Sequence, residues 1–155
     1  MNPSEHVKNY LNSHTVAYEM IHHRRDFTAQ EAAADTHTKG TDFAKSVILW
    51  VENRYCMAVL PASKQIDLEK VKKFLHVKSV ELASEDEVAA ICSDCEIGAM
   101  PPFGEFYDIP VYVSTDLTYE HLITFNAGTH EDVIRMRYRD YDELVKPKAF
   151  DFTLN

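Results

Sequence analysis

Apolar positions Val7, Tyr10 and Leu11 recur at helical spacing behind Asn2-Pro3-Ser4-Glu5. There Asn2 can cap, Pro3 suits the first helical position and Glu5 can complete a capping-box-like pair. The first predicted element is therefore a helix with one buried stripe. Tyr18 to His22 reads as a short strand. Thr28-Ala29-Gln30-Glu31, followed by three alanines, is a second capping box, and Gly40 is a fair stop for that helix or the loop after it. Two dense apolar runs follow, at 45–51 and 55–60, with Glu52-Asn53-Arg54 between them, short enough for a hairpin. Their apolar density on both faces implies a central place in the sheet.

The second half alternates irregularly. Asp67 opens a helix with Leu68, Val71 and Leu75 on one side; a strand is predicted within 77–82; Ser84-Glu85-Asp86-Glu87 is a third capping box, before Val88 and Ile91. Residues 92–104 hold two glycines and two adjacent prolines and read as a loop. Strands are predicted at 111–113, 122–125 and 132–136. A last helix from Tyr138 or Arg139 to Val145 is stopped by Pro147. Helices mixed with hairpins argue for an α/β domain of α+β character, with a mixed, partly antiparallel central sheet surrounded by helices. No Gly-x-Gly-x-x-Gly or P-loop pattern occurs, so a nucleotide-cofactor fold has no support.

Composition adds bounds. With 155 residues, 45% hydrophobic and 26% charged, the chain fits one ordinary domain over 1–155, which buries roughly two-thirds of its unfolded surface without a staple. No signal peptide or membrane-length apolar run is visible, and a cytoplasmic location is expected. The formal charge of −9 opposes broad adsorption to nucleic acid, so a nucleic-acid partner would be held by a local patch and by its end. Cys56, Cys92 and Cys95 are three, and an odd count in a chain of this kind does not suggest a disulfide framework. Cys92-Ser93-Asp94-Cys95 is half of a structural zinc site with no second pair at the usual spacing, and no metal or cofactor is expected.

Three segments could carry chemistry. In Gly98-Ala99-Met100-Pro101-Pro102-Phe103-Gly104, the prolines fix φ and remove two donors, while the glycines allow close approach. The remaining N–H groups of such a stiff loop can be aimed at a ligand, as an ester hydrolase needs for its oxyanion; a plain rigid turn would have the same composition. Phe125-Asn126-Ala127-Gly128-Thr129-His130 is a strand running into a small turn, which can present His130 to orient water or exchange a proton. Lys45 heads an otherwise apolar strand and becomes a fixed point charge if that end borders a pocket. His22-His23-Arg24-Arg25 could contact phosphate, as could Arg135, Arg137 and Arg139, although alternate residues on a solvated strand would look the same. No Ser-His-Asp pattern or Gly-x-Ser-x-Gly elbow is present.

Together, Ala44-Lys45-Ser46-Val47, the Gly-x-x-x-Pro of Gly98 to Pro102, the Ala127-Gly128 turn and the Thr28-Ala29 helix start resemble the YbaK/prolyl-tRNA-synthetase insertion-domain family, in the family's order and over nearly the whole chain. The resemblance implies a barrel-like YbaK fold and a free-standing deacylase that hydrolyses the ester of mischarged aminoacyl-tRNA. It implies Lys45, Gly98, Pro102 and His130 as catalytic residues. Substrate would be bound by His22, Arg24, Thr28, Ala99, Met100, Pro101, Phe103, Asn126, Ala127 and Gly128. Partners would be the acceptor end of a mischarged tRNA and, beyond it, a synthetase or an elongation factor, with no membrane. The Pro101-Pro102-Phe103 variant departs from the Ser-Pro form of the Cys-tRNA-deacylating branch. A tight pocket suits alanine, serine or threonine, and such a pocket separates isosteres differing by a hydroxyl poorly. The competing reading is a non-catalytic module that binds the tRNA acceptor end with the same fold.

Overall fold

The computed structural model describes residues 2–22 and 42–155. Five helices are present among these residues: α1 (Pro3–Ser13), α2 (Leu68–Leu75), α3 (Glu85–Ile91), α4 (Thr115–Thr118) and α5 (Tyr138–Val145). The eight strands are β1 (Tyr18–His22), β2 (Phe43–Val51), β3 (Arg54–Pro61), β4 (Val80–Leu82), β5 (Val111–Ser114), β6 (Leu122–Asn126), β7 (Asp132–Arg137) and β8 (Lys148–Phe150). A 3₁₀ turn, Gly104–Tyr107, ends the long loop. The helix expected at Thr28 lies outside the described residues.

Side chains cap the starts of α1, α2 and α3. Asn2 Oδ1 accepts the Glu5 N–H at 2.9 Å. The Asp67 carboxylate accepts from Glu69 and Lys70 at the head of α2. Ser84 and Glu87 exchange both bonds of a capping box, at 3.1 and 3.0 Å. Lys146, in the left-handed region, closes α5 just before Pro147.

The strands form one mixed sheet in the order β1-β7-β6-β2-β3-β5-β8, with β4 added to β2. The β2–β3 hairpin is the longest ladder, from Ala44↔Pro61 to Val51↔Arg54, so Arg54 belongs to the strand and Glu52-Asn53 alone make the turn. The pairs β2–β6, β3–β5 and β5–β8 are parallel; β1–β7, β6–β7, β2–β3 and β2–β4 are antiparallel. No pairing of the described residues closes the ladder into a barrel. Strand alternation splits the interior in two. One face carries Ala44, Ile48, Met57, Val59, Val113, Ile123, Phe125, Ile134 and Met136, covered by Val7 and Leu11 of α1 and by Tyr138 and Tyr141 of α5. The other carries Leu49, Val51, Cys56, Ala58 and Leu60, covered by Val71 of α2 and by Phe150 and Phe152. No helix of the described residues is long and apolar enough to cross a membrane.

Candidate functional site

The central strand β2 has two neighbours along one edge. Phe43 and Ala44 pair with β6, and Leu49 to Val51 pair with β4. Lys45, Ser46, Val47 and Ile48 have no strand partner on that side among the described residues. Alternate residues of an antiparallel ladder send both backbone groups to the same side. Phe43 O accepts Ala62 N on the β3 side, whereas Asp42 O accepts Thr124 N and Ile48 O accepts Ala83 N on the other. By that alternation the N–H and C=O of Ser46 point into the gap, and the Ser46 Oγ is itself buried with no partner.

A cavity of about 240 Å³ lies at this gap. Ser46 and Ile48 form one wall, Val88, Ala89 and Cys92 a second, and Cys95 to Gly98 with Met100 a third. Its volume falls below the roughly 300 Å³ at which ordinary small-molecule pockets begin, a size for a group no larger than a small amino acid. Glu85 and Glu96 also line it, with no lysine, arginine or histidine among the described lining residues.

The loop wall is clamped to the turn after β6. Gly128 N donates to Ala99 O at 2.8 Å, Glu96 N to Gly128 O at 2.9 Å, and His130 N to Glu96 Oε1 at 2.8 Å. The His130 Nε2 is hydrogen-bonded to Ile97 O. A carbonyl can only accept, so Nε2 carries a proton; Nδ1, the acceptor of a neutral ring, is buried without a partner. Gly98 and Gly128 have φ of 79° and 94°, and the turns they make are open to glycine without strain. The Ala99 N–H is spent on Glu96 O and the Phe103 N–H on Pro101 O. The prolines have none, so Gly98 and Met100 keep the loop's uncommitted donors among the described residues.

The residues singled out in the sequence separate into groups. Gly98 and Met100 reach the cavity. Ala99 and Ala127 are fully buried behind it. Pro102 and Phe103 anchor the loop from below: Tyr141 donates to Pro102 O at 2.7 Å, and the Phe103 ring packs on Tyr10, Phe106, Phe125 and Tyr141. Pro101 faces a different hollow, beside Pro3, His6 and Tyr107.

Lys45 points, by the pleat of β2, with Phe43 and Leu49, to the face opposite Ala44 and Ile48. The next residue of β6 past the Ala44↔Phe125 pair is Asn126, so Lys45 and Asn126 adjoin on that face. Asn126 Oδ1 is buried without a partner. Burial pushes the Lys45 ammonium below its ordinary pKa. No described contact joins Lys45 to the 98–102 loop; the gap in the sheet lies between them. His22 is exposed and sits 3.1 Å from Asp132, while Arg24 and Thr28 lie outside the described residues. The three arginines each meet an acid: Arg135 with Glu19, Arg137 with Asp140 and Arg139 with Glu143. Arg139 is in α5 and does not continue the strand.

One expectation is overturned. Cys92 and Cys95 are joined in a disulfide across three positions, leaving Cys56 as the buried free thiol. Chain-wide parity argued against a bond that is purely local: the turn at the end of α3 brings the two Cα atoms to 5.5 Å, within bridging range. With Asp94 these cysteines also place three metal-ligating atoms within 4.8 Å of one another, but the disulfide occupies both sulfurs. Ser46 and Glu96 were missed in the sequence. Ser46 stands beside the singled-out Lys45, and Glu96 two before Gly98, yet only the pairing of β2 and the fold of the loop give them roles.

Residues 23–144 match the family model described as aminoacyl-tRNA editing domain. The chain belongs to that family. Its curated relatives include the proline–tRNA ligases of Bacillus subtilis (strain 168), 28% identical over 115 residues, and Macrococcus caseolyticus (strain JCSC5402), 27% identical over 132. These alignments cover 74% and 85% of this editing-domain chain but 20% and 22% of the ligases, so it spans about a fifth of their length. In fold it is similar to a structure presented as a candidate trans-editing enzyme for prolyl tRNA synthetase (TM-score 0.84, 21% identity, 100% of this chain and 99% of that one). It is also similar to the hypothetical protein APE2540 (TM-score 0.86, 19% identity, 96% and 99%).

Proposed function

We propose that this chain hydrolyses the ester of mischarged aminoacyl-tRNA, with alanine, serine or threonine as the amino acid removed. The observation that carries the reading is the small cavity in the sheet gap, walled by Gly98 and Met100, in a chain of the editing family. An aminoacyl ester is already activated, so positioning and oxyanion stabilisation suffice without a protein nucleophile. Water attacks the ester carbonyl while an uncommitted N–H of Gly98 or Met100 holds the developing oxyanion. The vicinal hydroxyl of the terminal adenosine assists as part of the substrate. Lys45, with Asn126 beside it, holds the terminal nucleotide from the opposite face of the gap. His130 Nδ1, a buried acceptor, orients water or substrate, and its Nε2–H keeps the loop in place.

The tRNA is engaged through its end, in keeping with a net charge of −9 and with arginines that face acids. A synthetase or an elongation factor delivers the charged tRNA in the cytoplasm. The test is single-turnover hydrolysis of a panel of mischarged tRNAs by the full chain. Release of alanine, serine or threonine is expected; measurable tRNA binding with turnover of none of them would instead mark an acceptor-end binding module.

A further inference from the structure

We infer that the open edge of β2 at Ser46 docks the α-ammonium and ester carbonyl of the aminoacyl group, so that this site takes amino acids only with the amine free. The inference rests on the deacylase reading above and names a recognition element within it. Ser46 brings three polar groups to one place: an N–H and a C=O that no strand of the described residues takes up, and a buried Oγ without a partner. Buried polar groups left unpaired are costly and are nearly always matched, so the cavity fits an occupant that supplies both a donor and an acceptor.

An aminoacyl ester carries that pair on a single Cα. Its ammonium donates and its carbonyl accepts, as one residue of a neighbouring strand would. The ammonium meets Ser46 C=O and the carbonyl meets Ser46 N–H, and the aminoacyl group stands in for one missing residue of the ladder. Charge agrees with this orientation. Glu85 and Glu96 line the cavity, and among the described residues no basic side chain does, which favours a cation and disfavours an anionic group such as phosphate. With backbone meeting backbone, the substrate side chain projects from the ladder towards Ile48, Val88 and Met100. Acylating the amine removes the charge and two donors and adds bulk in a space of about 240 Å³.

The test compares alanyl- and seryl-tRNA with their N-acetyl forms, and follows the Ser46 amide by ¹H–¹⁵N NMR as the full chain is titrated with 3′-amide-linked alanyl-adenosine, free or N-acetylated. N-acetylation is expected to lower kcat/KM by on the order of 100-fold, the range set by a lost charge-assisted hydrogen bond, and only the free-amine analogue is expected to shift the Ser46 amide. Equal hydrolysis of acetylated and free substrates, with an unmoved Ser46 amide, would overturn the docking site and leave the deacylase reading standing. No turnover of any charged tRNA, with a Ser46 shift confined to the free-amine analogue, would keep the docking site and remove the deacylase reading. Ser46→Pro deletes the N–H at a position that gives β3 no ladder bond, and is expected to abolish both the analogue's binding and turnover; should that variant not fold, the NMR result on the unaltered chain decides.

Discussion

Gly128 and Ala99, far apart in sequence, are tied by a 2.8 Å bond from the glycine's N–H to the alanine's carbonyl, and this bond fixes the loop wall of the cavity to the end of β6. A Cβ at Gly128 would stand 2.1 Å from Pro3 Cβ, and its φ of +94° is one that L side chains rarely adopt. Gly128→Ala is therefore expected to lose at least about 2 kcal/mol of stability, read from urea denaturation, and to lose deacylation in the surviving folded fraction. A variant with wild-type midpoint and turnover would contradict the clamp.

Lys45 sets stability against activity. Desolvation lowers its pKa in the fold, so the unfolded chain holds the proton more tightly, and stability from this group rises as pH climbs from the folded-state pKa towards 10.5. Lys45→Met is expected to be more stable than the parent at pH 7, with the advantage shrinking at high pH, while deacylation is abolished. Lys45→Ala is likewise expected to keep the fold and lose turnover. Near-normal single-turnover hydrolysis by either folded variant would remove lysine from the mechanism.

His130 does two jobs through two nitrogens. Losing the ring frees Ile97 O and leaves Glu96 with a less constrained partner backbone. His130→Ala is expected to cost about 1–3 kcal/mol and to raise KM by loosening the wall. If Nδ1 also orients water, kcat falls with it. A drop in stability with kinetics untouched would confine the residue to scaffolding.

The cysteines should count themselves. In the folded, unreduced protein no thiol is expected to react readily, because Cys92 and Cys95 are bonded and burial pushes the Cys56 thiol up to about 11. After mild reduction two thiols should titrate with Ellman's reagent, and the third only in denaturant. Two readily reactive thiols before reduction would show that the pair does not hold its bond.

Much of the fold was legible because its signals are local. The Asn2, Asp67 and Ser84 caps sit beside the groups they satisfy, and Tyr18–His22 and the β2–β3 hairpin carry their own patterns. Strand β8 was missed because Pro147 read only as a stop, and Lys148–Phe150 buries a single side chain. The site divided along the same line. Gly98 and Met100 were legible from the glycine and proline around them. The placing of Lys45 across the gap and the exposure of Ser46 were not, since both depend on where β6 stops and β4 begins against β2. Nothing within either short strand encodes that distance.

An unpaired strand edge usually invites other chains to add to the sheet. Here, among the described residues, the opening spans four positions, roughly 13 Å at the extended rise, and β6 and β4 stand at its two ends. A polypeptide strand approaching in register would collide with both before making a useful number of bonds. A single amino acid would not. The interrupted ladder thus works as a gauge: it leaves sheet-forming groups on offer only to something one residue long, and protects the protein from its own adhesive edge.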